Sequence, residues 1–363
     1  MHAAALIEQI KLREPEASFA GFGGDRMAAA GCRLLRHIRN LAFMGFVEVF
    51  RHRKEIKDNF RIAREALLAE KPDALILIDY PSFNLKMAEF CRKHLPNTRI
   101  YYYVPPKIWA WKSWRVHKIA RLCDEVLGIF PFEPAFYAKY GYRCTYVGNP
   151  TAERILQRSG LTVKRSNSAA VLQRSGLTIA ILPGSRKSEV SHCLPRMLTA
   201  ARQFEGYTIV VTAAPGLDDS FYTPYLREGE TLTRDTYGAV QQASAAIVNS
   251  GTATLETALL KCPQVAVYHL MPAFIYPLIR WAQPLMFSIS HFTLVNIIAG
   301  KEVIKECIAN DFTVEKVSRE LKRILTDEAY TKNMLASYEH IRSILGDQSA
   351  AATAASIITS KPQ

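Results

Sequence analysis

The amino-acid sequence predicts an α/β protein with two Rossmann-like domains that face each other across a cleft, followed by C-terminal helices. The chain has 363 residues, which is more than one hydrophobic core usually organises. Its composition, 49% hydrophobic and 22% charged, is that of an ordinary folded protein. Short apolar runs alternate with amphipathic helical patterns for most of the length. This alternation favours parallel sheets with right-handed crossovers.

The first domain is predicted at residues 1–150. Its apolar runs indicate buried strands at 74–79, 99–104, 125–130 and 145–148. Residues 2–15 have a helical pattern, and the first strand candidate is 17–24. Because a doubly wound domain usually opens with a strand and a glycine-rich turn, we expect this opening strand to be missing and one position of the sheet to be unfilled.

The second domain is predicted at residues 177–325. Its apolar runs indicate strands at 177–184, 207–215, 245–251 and 264–269. Residues 151–176 are polar and contain a direct repeat, LQRSGLT, so we interpret them as an interdomain linker. Residues 326–363 have a helical pattern and are expected to form C-terminal helices that pack back on the N-terminal domain or on a partner subunit.

Cysteine spacing and hydropathy argue against several classes of protein. The seven cysteines form no CxxC pair, which indicates reduced thiols in a cytoplasmic protein and argues against zinc. We expect neither a metal nor a cofactor. The apolar stretch 271–289 is interrupted by Arg280, Gln283 and prolines, so it does not predict a transmembrane helix. The net charge of +13 favours nucleic acid, an anionic membrane surface or a phosphorylated substrate as partner, with solvated surface charge as the alternative.

Asp79 is the candidate general base. It ends the first apolar run, and Pro81 prevents the strand from continuing. Ligands of open parallel sheets bind beyond the carboxyl ends of the strands, so this carboxylate is expected to face the cleft. Partial desolvation is expected to raise its pKa towards values suited to general-base catalysis. The alternative is an aspartate that only caps a helix or completes a turn.

One strand-to-helix turn of the second domain, within LPGSRKSEV (182–190), is a candidate phosphate site. The backbone N–H groups at Gly184 and Ser185 and the following helix N-terminus suit a phosphate. Arg186 adds a guanidinium that grips a diphosphate. The pattern is neither a P-loop nor GxGxxG, and an ordinary strand-to-helix turn is the alternative.

A second such turn lies in the string SGTATLETALL, where Ser250, Gly251 and Thr252 open another helix N-terminus. Glu256 follows one turn later, and its carboxylate suits two vicinal hydroxyls, as on a ribose. The alternative is that Thr252 caps the helix and Glu256 complements its dipole. Two phosphate-type turns and a diol-binding carboxylate together predict a nucleotide diphosphate sugar site. Arg186 and the helix ends, with no metal, would stabilise the leaving diphosphate.

Three of the four tryptophans, Trp109, Trp111 and Trp114, fall within six residues. Arg115 and Lys118 follow them directly. Indole side chains favour boundaries that are apolar on one side and wet on the other, which suggests an interface. Packing in the core is the alternative for each of the three.

Four stretches together resemble the lipid-A-disaccharide synthase family: LAFMGFVEVF, PPKIWAWKSWRVHKIARLCDEVLGIFPFEPAFY, LPGSRKSEV and SGTATLETALLKCP. The resemblance runs from about Phe19 to the C-terminal helices, and the tryptophan-rich stretch is its most specific part. It implies an inverting glycosyltransferase of the GT-B type. Such an enzyme joins UDP-2,3-diacylglucosamine to 2,3-diacylglucosamine 1-phosphate (lipid X) through a β-1,6 bond and releases UDP. The reaction belongs to lipid A and lipopolysaccharide synthesis in Gram-negative bacteria.

The resemblance also implies residue roles. Asp79 matches the aspartate of the family's I-D-x-P segment and would be the base on the acceptor 6-hydroxyl. Arg186 matches the arginine of L-P-G-S-R and would contact the diphosphate. Glu256 matches the glutamate of S-G-T-A-x-L-E and would hold the uridine ribose. Asn296 matches the L-P-N segment near the nucleotide, although Val295 replaces the proline.

Two departures from the family pattern affect these expectations. Many members carry a second aspartate in D-x-P-D-F-N, where this chain has Ser82, so Asp79 is the base that remains. Members begin with a strand and a G-E-x-S-G-D loop, whereas Met1 lies just beyond that loop. We therefore expect the acceptor pocket to lack one wall.

Because both substrates carry acyl chains, the resemblance implies that the enzyme takes amphiphiles from a membrane surface. We expect Trp109 to Lys118 at the acceptor mouth, and the stretch 274–287, with Arg280 and Trp281, as a second interfacial patch. The expected location is the cytoplasm, in peripheral association with the anionic inner membrane. No nucleic-acid partner is expected, and a homodimer is one option.

Three other interpretations stay open. Another UDP-sugar transferase of the same build, such as that of peptidoglycan precursor synthesis, would share the helix-end sites but not the tryptophans. A non-catalytic protein that binds nucleic acid or membranes would explain the charge but not Asp79, Arg186 and Glu256. The third is a truncated, inactive homologue that still binds UDP or membranes.

Overall fold

The structure is a computed structural model that describes residues 2–38, 53–163, 177–269 and 291–360. Internal contacts divide the chain into two compact units: Met1–Glu153 with Asp347–Gln363 form the first, and Arg154–Gly346 form the second. In both units the described strands pair in parallel and alternate with helices. The predicted α/β class with two parallel-sheet domains is confirmed.

The first unit builds its sheets from short strands joined by helices. Its elements in chain order are α1 (His2–Arg13), β1 (Phe19–Gly23), α2 (Asp25–Ala29), β2 (Cys32–His37), α3 (Arg53–Glu70), β3 (Ala74–Ile78), α4 (Pro81–His94), β4 (Arg99–Tyr103), α5 (Arg115–Leu122), β5 (Glu125–Gly128), α6 (Glu133–Ala138) and β6 (Thr145–Tyr146). Strands β3 to β6 form one four-stranded sheet in sequence order, and β1 pairs with β2 in a separate two-stranded sheet.

Strand β4 supplies the core of the four-stranded sheet. Because side chains alternate across a strand, its tyrosines point to opposite helical layers. Tyr102 packs with the buried faces of α4 and α5, whereas Tyr103 packs with Leu6 and Ile10 of α1. Both tyrosines are fully buried, so the carboxyl end of β4 is held firmly between two layers.

The second unit contains one six-stranded sheet. Helix α7 (Pro150–Val163) leads into it, and its further elements are β7 (Thr178–Leu182), α8 (Lys187–Ala201), β8 (Thr208–Thr212), β9 (Thr231–Thr233), α9 (Thr236–Gln242), β10 (Ala245–Asn249), α10 (Thr252–Leu259), β11 (Gln264–Tyr268), α11 (Leu294–Ala299), β12 (Glu306–Ile308), α12 (Val314–Thr326) and α13 (Glu328–Leu345). The strand order is β12-β11-β10-β7-β8-β9. This doubly wound order reverses between β7 and β10, and such a reversal opens a crevice at the carboxyl ends of the two strands.

The chain returns to the first unit with its last helix, α14 (Ala350–Thr359). Ala350, Ala354 and Ala355 are buried in the same apolar cluster as Leu6 and Ile10 of α1. Small side chains let the two helices approach closely, so α14 covers one face of the first unit.

The unit boundaries differ from the predicted ones in two places. The predicted linker 151–176 begins as helix α7, and Ile155 of that helix belongs to a core cluster of the second unit. The predicted C-terminal block 326–363 is divided, because α13 belongs to the second unit and α14 to the first. The physical reason is that α13 buries large side chains such as Met334 and Tyr338, whereas α14 buries alanines.

All seven cysteines are buried thiols. Among the described helices, none has the length and apolar character needed to cross a membrane.

Replacing Gly148 by Ala is expected to destabilise the docking of α14. Gly148 has a φ of +106°, and an added Cβ would lie 2.6 Å from the backbone O of Gln348, just before the helix. The control is Gly141→Ala, where φ is +76° but no atom lies within 4 Å of the added Cβ. We expect a loss of about 1 kcal/mol for Gly141→Ala and at least about 2 kcal/mol for Gly148→Ala in urea denaturation. Equal losses would show that the contact with Gln348 is unimportant.

Candidate active site

The loop after β7 lies at the point where the strand order of the second unit reverses. Its Gly184 has a φ of +113°, a conformation that glycine adopts without strain. An added Cβ would lie 2.6 Å from Nδ2 of Asn249 and 2.7 Å from Oε2 of Glu189. Asn249 is buried at the end of β10, so this glycine lets the loops after β7 and β10 approach each other.

The N–H groups of this loop already bind an anion, the carboxylate of Glu189. Glu189 Oε2 accepts hydrogen bonds from the backbone N of Ser185 at 3.0 Å and of Arg186 at 3.3 Å. Its Oε1 accepts a bond from Nη1 of Arg186 at 2.8 Å. The predicted phosphate-binding groups therefore converge on one point and select negative charge there. Sequence reasoning missed Glu189, although a glutamate three residues after a helix N-cap is a recognisable capping pattern.

The turn after β10 opens helix α10. Gly251 is the N-cap and has no side chain to bond the first N–H groups, so Thr252 does not cap this helix. Ser250 is fixed through its backbone N, which donates to the O of Val267 at 2.7 Å. The start of α10 therefore presents backbone N–H groups and the positive end of the helix dipole beside the first loop.

Glu256 lies in α10 with its carboxylate largely buried, its side chain being 19% exposed. Its Oε1 accepts a hydrogen bond from the Tyr237 hydroxyl at 3.1 Å, and Nη1 of Arg154 lies 3.7 Å away. Burial raises the pKa of Glu256, and Tyr237 and Arg154 oppose this shift. Tyr237 and Arg154 were missed because they lie far from Glu256 in sequence and form no motif with it.

The structure corrects the prediction that Asn296 contacts the nucleotide. Asn296 is fully buried, and its Nδ2 donates to the O of Ile304 and to Glu306 Oε1, both at 2.9 Å. Its Oδ1 accepts from the backbone N of Val303 at 2.8 Å and of Ile304 at 3.0 Å. Each polar atom of the amide thus has its partner inside the protein, so Asn296 fixes the start of α11 and the segment before β12.

In the first unit, Asp79 follows β3 with a φ of +47°. Its backbone is fixed: its N donates to the O of Val104 at 3.1 Å, and its O accepts bonds from Tyr102 Oη at 2.8 Å and from Asn84 Nδ2 at 2.6 Å. The residue is exposed, so the expected desolvation of the carboxylate is not found. The side chain is accessible to a substrate at the carboxyl edge of the sheet.

The structure also corrects the placement of Trp109 at an interface. Trp109 is 5% exposed, and its indole packs edge-on against Phe132 at 4.9 Å and Phe130 at 5.9 Å between ring centroids. Its Nε1 donates to Oε1 of Glu133 at 3.2 Å. Trp109 is therefore a core residue that anchors the loop after β4.

Glu133, which sequence reasoning also missed, is 1% exposed. Its Oε2 accepts bonds from the backbone N of Ile129 at 2.8 Å and of Phe130 at 2.9 Å. Burial raises the pKa of the Glu133 carboxyl to about 7, although these two bonds, the Trp109 indole and the charge of Lys107 lower it. The buried Glu133 carboxylate accepts hydrogen bonds from three donors, two of them in the loop after β5, and so fixes the conformation of that loop.

The other two tryptophans of the predicted acceptor mouth are accessible. Trp111 is 48% and Trp114 62% exposed. Lys112 lies over the Trp111 ring at 4.1 Å and Arg115 over the Trp114 ring at 5.7 Å. Lys118 is half-buried and pairs with Glu89 at 2.7 Å, so it is less available to a lipid. The predicted patch with Arg280 and Trp281 lies outside the described residues.

The described residues include no group of three or more His, Cys, Asp or Glu side chains that could hold a metal ion. Oriented N–H groups and the Arg186 guanidinium are the elements of the second unit that select an anion.

The fold is shared with solved enzymes that act on nucleotide sugars or transfer sugars. The glycotransferase of kitacinnamycin superposes with a TM-score of 0.61 at 10% identity, covering 98% of this chain and 94% of that one. UDP-GlcNAc 2-epimerase from Neisseria meningitidis, solved with UDP-GlcNAc, superposes with a TM-score of 0.58 at 10% identity, with the same two coverages of 98% and 94%. These likenesses define the class by fold: a two-domain α/β protein of the GT-B type.

Sequence comparison identifies the family. The family model described as lipid-A-disaccharide synthetase matches residues 1–358. Lipid-A-disaccharide synthase of Trichlorobacter lovleyi is 36% identical over 354 residues, covering 95% of this chain and 90% of that protein. The corresponding protein of Myxococcus xanthus is 35% identical over 367 residues, covering 98% and 92%. The chain belongs to the lipid-A-disaccharide synthetase family, and it is a glycosyltransferase of lipid A synthesis.

Replacing Glu133 by Gln is expected to change how stability depends on pH. The pKa of Glu133 is about 7 in the folded protein, above the ordinary 4.5, so the folded state binds this proton more tightly than the unfolded state. The wild type should therefore lose unfolding free energy through this group as pH rises from about 5 to about 7.5, by about 3 kcal/mol in total.

The measurement is urea denaturation of both proteins at several pH values. The difference in unfolding free energy between wild type and Glu133→Gln should shift by this amount, because all other groups titrate in both proteins. Parallel curves for the two proteins would contradict the assignment of a near-neutral pKa to Glu133.

Proposed function

We propose that this family member condenses UDP-2,3-diacylglucosamine with 2,3-diacylglucosamine 1-phosphate (lipid X), with Asp79 as general base and Arg186 as the main cation on the leaving diphosphate. The observation that carries the proposal is the pair of anion-selecting turns after β7 and β10, at the reversal point of the second unit. Ligands of doubly wound sheets bind at this point.

The donor is bound by the second unit. Backbone N–H groups of Ser185 and Arg186, the start of α10 and the Arg186 guanidinium take the diphosphate. The Oε2 atom of Glu256 is the oxygen not used by Tyr237, and it accepts the ribose hydroxyls. The likeness of fold to an epimerase solved with UDP-GlcNAc supports this assignment.

The acceptor is bound by the first unit, where Asp79 is exposed at the end of β3. Its carboxylate removes the proton of the acceptor 6-hydroxyl as that oxygen attacks C1 of the donor sugar. The bond from C1 to the diphosphate oxygen breaks with its electron pair, UDP leaves, and the configuration at C1 inverts. Arg186 and the oriented amide dipoles stabilise the charge that develops on the diphosphate.

The protein meets its lipid substrates at the cytoplasmic face of the inner membrane. Trp111 and Trp114 are exposed, and each has a cation over its ring, Lys112 and Arg115 respectively. Indoles partition to the boundary between headgroups and acyl chains, and cations there attract anionic lipids. The net charge of +13 supports the same electrostatic attraction.

Replacing Asp79 by Asn tests the base. The amide keeps the shape of the side chain but accepts no proton, so turnover of disaccharide should fall by about 10²- to 10⁴-fold. The product is measured by mass spectrometry from both lipid substrates. In the same variant UDP should still raise the Tm as it does in the wild type, and DNA should raise it in neither protein.

Ser82→Ala is the control, since it removes a neighbouring polar side chain in the first turn of α4 and should leave turnover within about threefold. Near-wild-type turnover in Asp79→Asn would remove Asp79 as the base. Failure of UDP to raise the Tm of the wild type would instead remove the donor site.

Replacing Trp111 and Trp114 together by Ala tests the membrane surface. Binding to phosphatidylglycerol vesicles should weaken by about 10-fold or more, because two interfacial indoles are lost, while the Tm should change little for exposed side chains. Leu12→Ala, at an apolar side chain that is 76% exposed in α1, is the control and should bind vesicles like the wild type. Unchanged vesicle binding in the double variant would exclude this surface.

A further inference from the structure

Lys107 is a cation held at the same edge of the first unit as Asp79. It lies in the loop Val104–Trp109 that follows β4, and it is the only exposed residue of that loop. The two residues before it are buried prolines, and the two after it, Ile108 and Trp109, are buried as well. A loop fixed on both sides of one exposed residue presents that residue in a nearly constant position.

Backbone bonds join the start of this loop to the candidate base. Val104 accepts a hydrogen bond from the N of Asp79 at 3.1 Å and donates one from its own N to the O of Leu127 at 3.2 Å. Val104 has a φ of +58°, which is strained for a β-branched residue and is held by these two bonds. The chain therefore leaves β4 directly beside Asp79.

The end of the loop is anchored in the core. The indole of Trp109 donates to Glu133, which also binds the backbone of Ile129 and Phe130. Lys107 thus lies between Val104, whose O accepts a hydrogen bond from the N of Asp79, and the buried Trp109. Few rotatable backbone bonds separate Lys107 from Asp79 or from Trp109. The loss of conformational entropy when Lys107 binds a ligand is therefore small.

The Lys107 ammonium forms no ion pair within the part of the chain that the structure describes. Among the described residues no carboxylate oxygen lies within 4.0 Å of its ammonium, although Asp79 and Glu133 are close enough to raise its pKa. Burial is the larger effect and lowers the pKa of Lys107. A bound phosphate, like any nearby negative charge, favours the charged form of the amine.

We propose that Lys107 binds the phosphate monoester of the acceptor and makes the enzyme select the phosphorylated sugar over the unphosphorylated one. A phosphate monoester carries close to two negative charges at neutral pH, and lysine binds it as a point charge. The inference rests on the proposed function, because it assigns the acceptor to the edge that holds Asp79. It adds which end of the acceptor is recognised there.

The test compares two acceptors, 2,3-diacylglucosamine 1-phosphate and 2,3-diacylglucosamine, in detergent with saturating donor. In Lys107→Met the KM for the phosphorylated acceptor should rise by about 10- to 100-fold, the usual worth of a hydrogen bond to a charged group. The KM for the unphosphorylated acceptor should change by less than about threefold, and kcat should change little. Lys107→Arg should recover most of the preference, since it keeps the charge.

Lys139→Met is the control. It removes an exposed cation of the first unit, just after α6, and it should leave the preference for the phosphorylated acceptor intact. Circular dichroism and Tm verify that all three variants fold. Equal losses with both acceptors in Lys107→Met would overturn the proposal, because they would mean that Lys107 acts on Asp79 or on the loop and not on the phosphate.

Equilibrium binding of the same two acceptors, followed by tryptophan fluorescence, separates this proposal from the proposed function. A wild type that binds the phosphorylated acceptor more tightly, with this preference lost in Lys107→Met, supports the role of Lys107 whether or not disaccharide forms. Absence of turnover with that preference intact would overturn only the proposed reaction. Absence of any binding preference in the wild type would overturn the role of Lys107.

Discussion

Each unit closes a strand-end loop with a glutamate that follows a glycine in the pattern G-x-x-x-x-E. In the first unit the pair is Gly128 and Glu133, and in the second it is Gly184 and Glu189. A Cβ added at either glycine would lie 2.7 Å from the Oε2 atom of its glutamate. Backbone N–H groups at the ends of parallel strands have no partner in the sheet, and an unpaired buried donor costs about 1–3 kcal/mol. The glutamate supplies the acceptor, and the glycine provides the space for it.

The two glutamates differ in their surroundings, and this difference separates their roles. Glu133 is buried and also binds the Trp109 indole, so it joins the loops after β4 and β5 into one rigid edge beside Asp79. Glu189 is only partly buried and binds the Arg186 guanidinium, which is itself exposed. The first arrangement is suited to holding a site in place, and the second to exchanging partners.

Local sequence patterns predicted most strands of both units but missed β2, β9 and β12. They also did not predict the partners of individual side chains. The apolar runs ending at Asp79 and Gly184 are strands in the structure because period and length determine short buried strands locally. Asn296 and Trp109 were misplaced because burial depends on residues distant in sequence, such as Glu306 and Glu133. The divided C-terminus has the same cause: α13 and α14 are both helical by pattern, and only tertiary packing separates them.

If the loop after β7 takes the donor diphosphate as proposed, the Glu189 carboxylate has a thermodynamic consequence for donor binding. Entry of a diphosphate replaces one anion by another, because the N–H groups of Ser185 and Arg186 are already engaged by Glu189. The binding free energy contributed by those amides is therefore the difference between their hydrogen bonds to the diphosphate and their hydrogen bonds to Glu189. It is not the full free energy of newly formed bonds. An ion such as orthophosphate, which offers only that one point of contact, gains almost nothing from the exchange. A ligand that also reaches Glu256 through its ribose, as proposed, retains a net advantage, so among anions the site favours the molecule that makes the more extended contacts.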